Sequence, residues 1–457
     1  MKRIFISAAH KSSGKTTLSI GLCAALTQRG LSVQPFKKGP DYIDPLWLGR
    51  AVQGKCYNLD FYTMSRDEIM QKFFRYAHDT DISLIEGNKG LYDGLDLDGS
   101  NSNAALATLL ETPVVLVIDV QGMTRGIAPL ILGYQAFDQN INIAGVILNQ
   151  VRGQRHESKL RTVIEHYTDV PVLGAVAHNP EMAITERHLG LIPSNEQQQA
   201  EHQINRIAQL VNDQVDMTNL LNIASNAPTL KEILPTQEAG QSINQETLRI
   251  GVAQDEAFGF YYPDDLEALE NAGAELIKIN MLTDAELPDI DGLFIGGGFP
   301  ETCMKQLSDN ESMRKSVLDA IENGLPTYAE CGGLMYLSRS ITWKQDEYPM
   351  VGIIPAITRM HQRPQGRGYT RLQCTEDNPW ALNENSEFPA HEFHYSALEG
   401  LPESTRFAYK VLRGTGIDGQ HDGIVYNNLL ACYAHMRNTR STPWAEKFIE
   451  FIRSRQG

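Results

Sequence analysis

The first seventeen residues restrict the fold of this chain more than any other feature. A short apolar run, Arg3–Ser7, leads into Ala-His-Lys-Ser-Ser-Gly-Lys-Thr-Thr at positions 9–17, and helical spacing follows over Thr16–Arg29. A strand, a loop ending in Gly-Lys-Thr and a helix are typical of a P-loop, in which backbone N–H groups and the helix N-terminus bind phosphate. The pattern predicts that Lys15 reaches the β- and γ-phosphates of a nucleotide and that Thr16 binds its Mg²⁺ ion. The residues of this predicted nucleotide site are Ser13, Gly14, Lys15, Thr16 and Thr17.

Strand-like and helical stretches alternate along the whole chain, which predicts an α/β fold with mostly parallel sheets covered on both faces. A polar stretch rich in turn residues interrupts the alternation near the middle and is typical of a linker. We therefore predict a P-loop domain over residues 1–225, a linker over 226–246 and a second α/β domain over 247–457. The strands predicted from apolar runs are Arg3–Ser7, Ser32–Pro35, Ile82–Ile85, Val114–Asp119, Ala144–Leu148, Val172–Val176, Arg249–Ala253, Gly292–Ile295, Leu325–Ala329, Ile424–Tyr426 and Ala431–His435.

Charge and composition exclude several classes of function. The 457 residues include 40 Lys and Arg against 56 Asp and Glu, a net charge of −16, which argues against a nucleic-acid or membrane surface. No stretch of the sequence is apolar for long enough to predict a transmembrane helix. The six cysteines form no Cys-x-x-Cys pair, and the N-terminus becomes polar too early for a signal peptide. We therefore expect a cytoplasmic protein without a structural zinc site.

Acidic residues at predicted strand ends are candidates for the metal site. Glu86 directly follows the apolar run Ile82–Ile85, and Asp41 and Asp44 lie in the loop after Ser32–Pro35. Carboxylates in these positions suit Mg²⁺, which prefers hard oxygen ligands. Asp119 also ends a strand, and a helix cap or a solvated loop carboxylate remains an alternative for it.

A second chemical motif lies in the C-terminal half. The short apolar run Leu325–Ala329 leads into Glu330, Cys331 and two glycines, and a helical stretch follows. This is typical of a nucleophile elbow, a strained turn that exposes a thiol at a helix N-terminus. The glycine run that includes Gly297 and Gly298 follows an earlier strand and could supply oxyanion-binding amides. A thiol nucleophile needs a base, and His435, at the end of a predicted strand, is our candidate.

Eight sequence stretches, in this order, resemble the CobB/CbiA family of glutamine-hydrolysing cobyrinic acid a,c-diamide synthases over nearly the full chain. They are GKTT (14–17), VQPFKKGPDYID (33–44), IEGNKGLYDG (85–94), ERHLGL (186–191), AFGFYYPDDLEALE (257–270), GGGFPE (296–301), YAECGGLMYL (328–337) and HEFHYS (391–396). The resemblance implies a dethiobiotin-synthetase-like P-loop domain joined to a class I glutamine amidotransferase domain. It further implies that glutamine is hydrolysed at Cys331 and that ammonia passes internally to the ATP domain. There, carboxylates a and c of the tetrapyrrole would be activated as acyl phosphates and amidated, in cobalamin biosynthesis with Mg²⁺ and ATP.

The resemblance also assigns roles to individual residues. Asp44 and Glu86 would bind metal, and Asp41, Tyr42 and Asp93 would handle the substrate or the intermediate. Asn149 resembles an adenine-reading residue, with a turn-forming Asn as the alternative. The family pattern is a Cys–His pair, so Glu330 is not expected to act as a third, acidic member. Candidate cations for the substrate carboxylates, each with a solvated surface charge as the alternative, are Lys38, Lys89, Arg187, Arg363 and Arg367.

The sequence leaves alternatives open for both the substrate and the class of function. Residues 359–369 are more basic than the corresponding family stretch and form either a surface hairpin or a loop that binds substrate carboxylates. Such a change leaves sirohaem or (nickel-)sirohydrochlorin open as the substrate, with the same chemistry. Two other classes are a partitioning-type P-loop switch ATPase and a regulatory glutamine-binding module with an inactive synthetase. The switch does not explain Cys331, and the inactive module does not explain an intact P-loop; a homodimer is compatible with the ligase.

Overall fold

The computed structural model describes residues 1–182, 184, 186–187, 190–194, 200–230, 246–380 and 385–456. The chain divides into two compact units, Met1–Thr236 and Gln237–Gly457. In the described residues, no helix combines the length and the apolar character that crossing a membrane requires.

The first unit is built from strands alternating with helices. Its strands are β1 (Arg3–Ala8), β2 (Val33–Lys38), β3 (Tyr57–Leu59), β4 (Ile82–Glu86), β5 (Val114–Asp119), β6 (Ile143–Val151), β7 (Val172–Ala177), β8 (Glu186–Arg187) and β9 (Gly190–Leu191). Its helices are α1 (Lys15–Gln28), α2 (Ile43–Ala51), α3 (Arg66–Ala77), α4 (Asn103–Leu109), α5 (Ile127–Phe137), α6 (Gln154–Tyr167), α7 (Ala200–Gln214) and α8 (Met217–Ser225).

The main sheet of this unit is parallel throughout and has the order β3-β2-β4-β1-β5-β6-β7. Strands such as β5, with the sequence Val-Val-Leu-Val-Ile-Asp, are apolar at consecutive positions because two hydrophobic clusters cover the opposite faces of the sheet. Because the strands are parallel, β1, β2 and β4 end side by side at the sheet centre. Residues that follow these strands therefore meet at one edge, where α/β sheets bind ligands.

The second unit contains a mixed sheet. Its strands are β10 (Leu248–Ala253), β11 (Phe258–Phe260), β12 (Ala274–Ile279), β13 (Gly292–Ile295), β14 (Gly297–Gly298), β15 (Thr327–Glu330), β16 (Ser338–Trp343), β17 (Asp346–Pro349), β18 (Ile354–Met360), β19 (Gly366–Cys374), β20 (Glu387–His394), β21 (Ser396–Glu399), β22 (Arg406–Arg413), β23 (His421–Tyr426) and β24 (Leu429–Cys432). Its helices are α9 (Pro263–Asn271), α10 (Met304–Asp309), α11 (Glu311–Glu322), α12 (Gly332–Leu337) and α13 (Trp444–Arg455).

The large sheet has the order β12-β10-β13-β15-β24-β23-β22-β19-β20, parallel as far as β24 and antiparallel beyond it. Strand β15 lies between β13 and β24, so the residues after these three strands converge. The predicted α/β class is confirmed in both units.

One local prediction is wrong, and one of two open alternatives is excluded. The strand predicted over Ala431–His435 ends at Cys432 in β24, because beyond this point the chain makes an isolated bridge between His435 and His391. Residues 359–369 do not form a hairpin, since β18 pairs with β16 and β21 whereas β19 pairs with β20 and β22.

Candidate active sites

The P-loop joins β1 to α1. Gly14 begins the helix with a φ of 83°, a left-handed conformation that favours glycine. A side chain at this position would also clash with the amide of Asn149, whose Nδ2 donates to the carbonyl oxygen of Ser13 at 2.9 Å. Asn149 therefore contacts the P-loop backbone from the end of β6. Thr17 is half-buried in the first turn of α1.

Glu86 is the centre of a buried charge cluster beside the P-loop. Its Oε1 accepts hydrogen bonds from Lys15 Nζ at 3.0 Å, Lys37 Nζ at 2.9 Å and Thr16 Oγ1 at 2.7 Å. Lys37 also pairs with Asp44, whose Oδ2 lies 3.2 Å from Thr16 Oγ1. The ends of β1, β2 and β4 thus bring two lysines, two carboxylates and a threonine to one point.

Glu86 and Lys37 keep their charges in this cluster. Burial alone would raise the pKa of Glu86, but the ammonium groups of Lys37 and Lys15 lower it to about 2. Burial likewise acts to lower the pKa of Lys37, but Asp44 and Glu86 hold it well above its usual range. Both groups are therefore ionised at neutral pH, and an ammonium such as that of Lys37 forms strong charge-assisted hydrogen bonds.

The donor set of this cluster fits a Mg²⁺ ion. The buried Glu86 Oε2 has no hydrogen-bond partner among the described residues, and Thr16 Oγ1 lies between Glu86 and Asp44. In the described part of the chain, no group of three or more His, Cys, Asp and Glu side chains is arranged to hold a metal. Two carboxylates and a hydroxyl nevertheless suit Mg²⁺, which takes its other ligands from water and nucleotide phosphates.

The predicted substrate residues lie in different settings. Asp41 Oδ1 accepts from the amides of Ile43 and Asp44 at 3.0 and 3.1 Å, and Tyr42 is buried at the start of α2. Asp93 is exposed, and its Oδ2 accepts from the amide of Gly90 at 2.9 Å.

The predicted cations differ in how far they are exposed to solvent. Lys38 is buried, with Nζ 3.4 Å from Asn101 Oδ1, which excludes the alternative of a solvated surface charge for it. Lys89, Arg363 and Arg367 are exposed, and the Arg367 guanidinium lies over the Phe393 ring. Arg187 lies in β8, and its side chain is outside the described part of the structure.

Cys331 occupies a strained turn between β15 and α12. Its φ of 46° and ψ of −98° are unusual for a residue other than glycine, and its amide donates to the carbonyl oxygen of Cys432 at 2.7 Å. Gly333 packs so closely that a Cβ there would overlap the carbonyl oxygen of Ile295. Strand, turn and helix together have the geometry of a nucleophile elbow.

The predicted oxyanion glycines lie beside this turn. Gly297 and Gly298 form β14, which pairs with β11. A Cβ on Gly332 would be 2.9 Å from the amide nitrogen of Gly298, and a Cβ on Gly297 would be 2.5 Å from His435 Cε1. The glycine backbone therefore lies next to both the elbow and the candidate base.

His435 lies in a buried polar setting. Its ring stacks on His391, with centroids 4.9 Å apart and an interplanar angle of 16°. Its Nδ1 is 3.4 Å from Glu330 Oε2. Burial alone would lower the pKa of His435, but Cys331 and Glu330 raise it to about 10. Glu330 was not expected to act as a third, acidic member of the Cys–His pair, yet its carboxylate faces the candidate base.

Several residues of these sites were not predicted. Sequence reasoning chose Lys38 rather than Lys37, although a lysine in a buried strand next to an acidic loop is itself a signal for an ion pair. It also did not predict His391 beside His435. Arg437, paired with Asp264 at 2.8 Å, was missed because α9 lies far from it in sequence.

Comparisons with known proteins agree with this geometry. Residues 4–192 match the CobQ/CobB/MinD/ParA nucleotide binding domain, and residues 249–442 match the CobB/CobQ-like glutamine amidotransferase domain. A cobyrinate a,c-diamide synthase of Magnetococcus marinus is 44% identical over 456 residues, which cover 99% of this chain and 97% of that protein. The chain belongs to the cobyrinate a,c-diamide synthase family.

Other members of the cobyrinate a,c-diamide synthase family are similar over comparable lengths. The protein of Methanosarcina acetivorans is 41% identical, covering 98% of this chain and 95% of its own length. The protein of Archaeoglobus fulgidus is 40% identical, covering 98% of this chain and 97% of its own length. The family resemblance predicted from eight sequence stretches is therefore confirmed.

Proposed function

We propose that this chain is a glutamine-hydrolysing cobyrinate a,c-diamide synthase. A single observation carries the proposal: one chain, similar end to end to synthases of that name, holds both a P-loop charge cluster and a Cys331 elbow with a histidine base. We assign the synthetase to residues 1–225, the linker to 226–246 and the glutaminase to 247–457. The names of the relatives favour cobyrinate over sirohaem, and a partitioning-type switch ATPase would leave Cys331 without a role.

At the glutaminase site, the Cys331 thiolate attacks the carboxamide carbon of glutamine. The backbone amides of Gly297 and Gly298 stabilise the negative charge that develops on the carbonyl oxygen. His435 gives its proton to the departing nitrogen, so ammonia leaves and a glutamyl thioester remains. Water, deprotonated by His435, then hydrolyses the thioester and releases glutamate.

At the ATP site, a substrate carboxylate oxygen attacks the γ-phosphorus of ATP and ADP leaves. The acyl phosphate has a good leaving group, so ammonia displaces phosphate and forms the amide. Lys15 and Lys37 supply positive charge for the phosphate oxygens. Asp41, Tyr42 and Asp93 act on the substrate or intermediate, and Asn149 reads the adenine.

Mg²⁺ would be held with ATP by Thr16, Asp44 and Glu86, where it would neutralise phosphate charge. The cations proposed to bind the carboxylates of the tetrapyrrole are Lys38, Lys89, Arg187, Arg363 and Arg367. The six cysteines are free thiols in the structure, which suits the reducing cytoplasm where we place the enzyme. We further propose a homodimer, which size-exclusion chromatography with light scattering would detect.

Two variants separate the half-reactions. Cys331→Ala should abolish glutamine-supported amidation of cobyrinic acid but leave ammonia-supported amidation within about threefold of wild type, since only the nucleophile is lost. Lys15→Ala should abolish amidation with either donor. Both are measured as amide formed per enzyme with glutamine or ammonium chloride. Loss of ammonia-supported activity in a folded Cys331→Ala protein would contradict the two-site proposal.

A further inference from the structure

A histidine that acts as a base is normally held by a third group, and the chain segment of His435 does not supply one. Met436, Arg437 and Asn438 follow it, so no carboxylate is nearby in sequence on that side. A partner for Nδ1 must therefore come from another element.

Glu330, the last residue of β15, lies in that position. Strands β15 and β24 are parallel neighbours with Glu330 opposite Cys432, so the end of β15 lies beside the segment that carries His435. Glu330 is 3% exposed, and its Oε2 is 3.4 Å from His435 Nδ1. The residue that precedes the nucleophile thus faces the base.

The other carboxylate oxygen is fixed by two donors. Tyr328 OH donates to Glu330 Oε1, and the amide of Met436 donates to the same atom at 2.9 Å. The Met436 amide belongs to the residue directly after His435, so one carboxylate contacts both the ring and the backbone of the histidine segment. Such a carboxylate can set the orientation of the imidazole.

We propose that Glu330 is the positioning residue for His435, its carboxylate fixing the proton on Nδ1 and leaving Nε2 for Cys331 and the departing ammonia. The inference rests on the proposed glutaminase function and goes beyond the Cys–His pair that the family resemblance implies. It assigns the third member of the catalytic group to the residue adjacent to the nucleophile.

The charges around His435 agree with this role. Cys331 approaches it from the elbow, Glu330 from β15 and His391 from β20. Burial, with the nearby His435 and Arg437, lowers the pKa of His391 well below its usual range, so this ring is neutral. From β23, Asp422 contacts the backbone amides of Tyr433 and Ala434 in the same segment. Glu330 therefore contacts the ring itself, whereas Asp422 contacts the backbone of the same segment.

The test compares Glu330→Gln with a matched control, Glu322→Gln. Glu322 also accepts a hydrogen bond from a tyrosine, Tyr426, at 2.9 Å, but it is exposed on α11. Glu330→Gln should lower kcat for glutamine hydrolysis by about 100- to 10,000-fold, as loss of imidazole orientation does in a Ser-His-Asp triad. KM for glutamine and ammonia-supported amidation should stay within about threefold. Glu322→Gln should match wild type in every assay.

A second readout does not depend on turnover. The rate of Cys331 alkylation by iodoacetamide, followed by peptide mass spectrometry, reports the thiolate that the charged His435 stabilises. Its pH profile should move to higher pH in Glu330→Gln and stay near wild type in Glu330→Asp, which keeps the charge. Wild-type kcat and an unmoved profile in Glu330→Gln would overturn the proposal.

Two further outcomes are decisive. If Glu330→Gln loses ammonia-supported amidation and so is misfolded, Glu330→Asp decides: a free-thiol profile centred near pH ~8.5 would overturn the proposal. If the alkylation profile moves to higher pH in Glu330→Gln but wild-type protein hydrolyses no glutamine, the proposed function fails while the positioning contact stands.

Discussion

At the scale of single residues, the two sites depend on buried ionised groups held by partners from other elements. Glu86 is completely buried, yet it accepts from Lys15, Lys37 and Thr16. Sequence reasoning placed Glu86 and Lys15 at strand and helix ends and so predicted their proximity. It did not predict the role of Lys37, because Lys37 and Lys38 are both buried at the end of β2 and a local pattern cannot tell which of them reaches Glu86.

The low pKa of Glu86 makes stability depend on pH in acid. The folded-state pKa of about 2 lies below the unfolded value of ~4.3, so the unfolded chain binds more protons between these values. The contribution of Glu86 is therefore present above pH ~4.3 and is lost as the pH falls toward 2. In Glu86→Gln, this part of the pH dependence should disappear. The free energy of unfolding of the protein should also fall by about 3–5 kcal/mol at neutral pH, because the buried Lys37 loses a charged partner.

Urea unfolding at several acid pH values measures both effects. The control is Glu157→Gln, which removes a part-exposed pair with Arg161 and should cost under about 1 kcal/mol. Equal pH slopes for wild type and Glu86→Gln would contradict the assigned ion cluster.

At the scale of elements, the regular strands were predictable because their residues carry the pattern locally. Val114–Asp119 and Gly292–Ile295 match β5 and β13 at both ends, since unbroken apolar runs are typical of strands buried on two faces. The pairing of Glu330 with His435 was not predictable. It depends on the neighbouring positions of β15 and β24, which no local periodicity contains.

The elbow provides a prediction about packing. A Cβ at Gly333 would overlap the backbone carbonyl of Ile295, which cannot move away as a side chain could. Gly333→Ala should therefore abolish most glutaminase activity and lower the free energy of unfolding by about 1–3 kcal/mol. The control is Gly133→Ala in α5, where a Cβ meets open space, and it should be neutral or stabilising by up to about 1 kcal/mol. Wild-type glutaminase activity in Gly333→Ala would contradict the assigned elbow.

At the scale of the whole molecule, the sequence indicated two α/β units, each with its own chemistry. This was possible because each chemical motif is a short stretch that lies between a strand and a helix of its own unit. The order of the eight family stretches also pointed to the family that full-length relatives confirm. The set of cations that we propose for the substrate has no such local motif and stays a prediction. Charge is spread over many residues of the sequence, and no local pattern shows which of them bind a ligand; Lys38, for example, is buried.

The central claim is that the chain forms amides on a cobyrinate carboxylate with glutamine as the nitrogen donor. The most direct measurement is mass spectrometry of the products when purified protein, Mg-ATP and glutamine are offered cobyrinic acid and sirohaem in parallel. The account predicts that two amides are added to cobyrinic acid and none to sirohaem, and that omission of ATP prevents both additions. Amidation of sirohaem alone, or no amide on either compound, would contradict it.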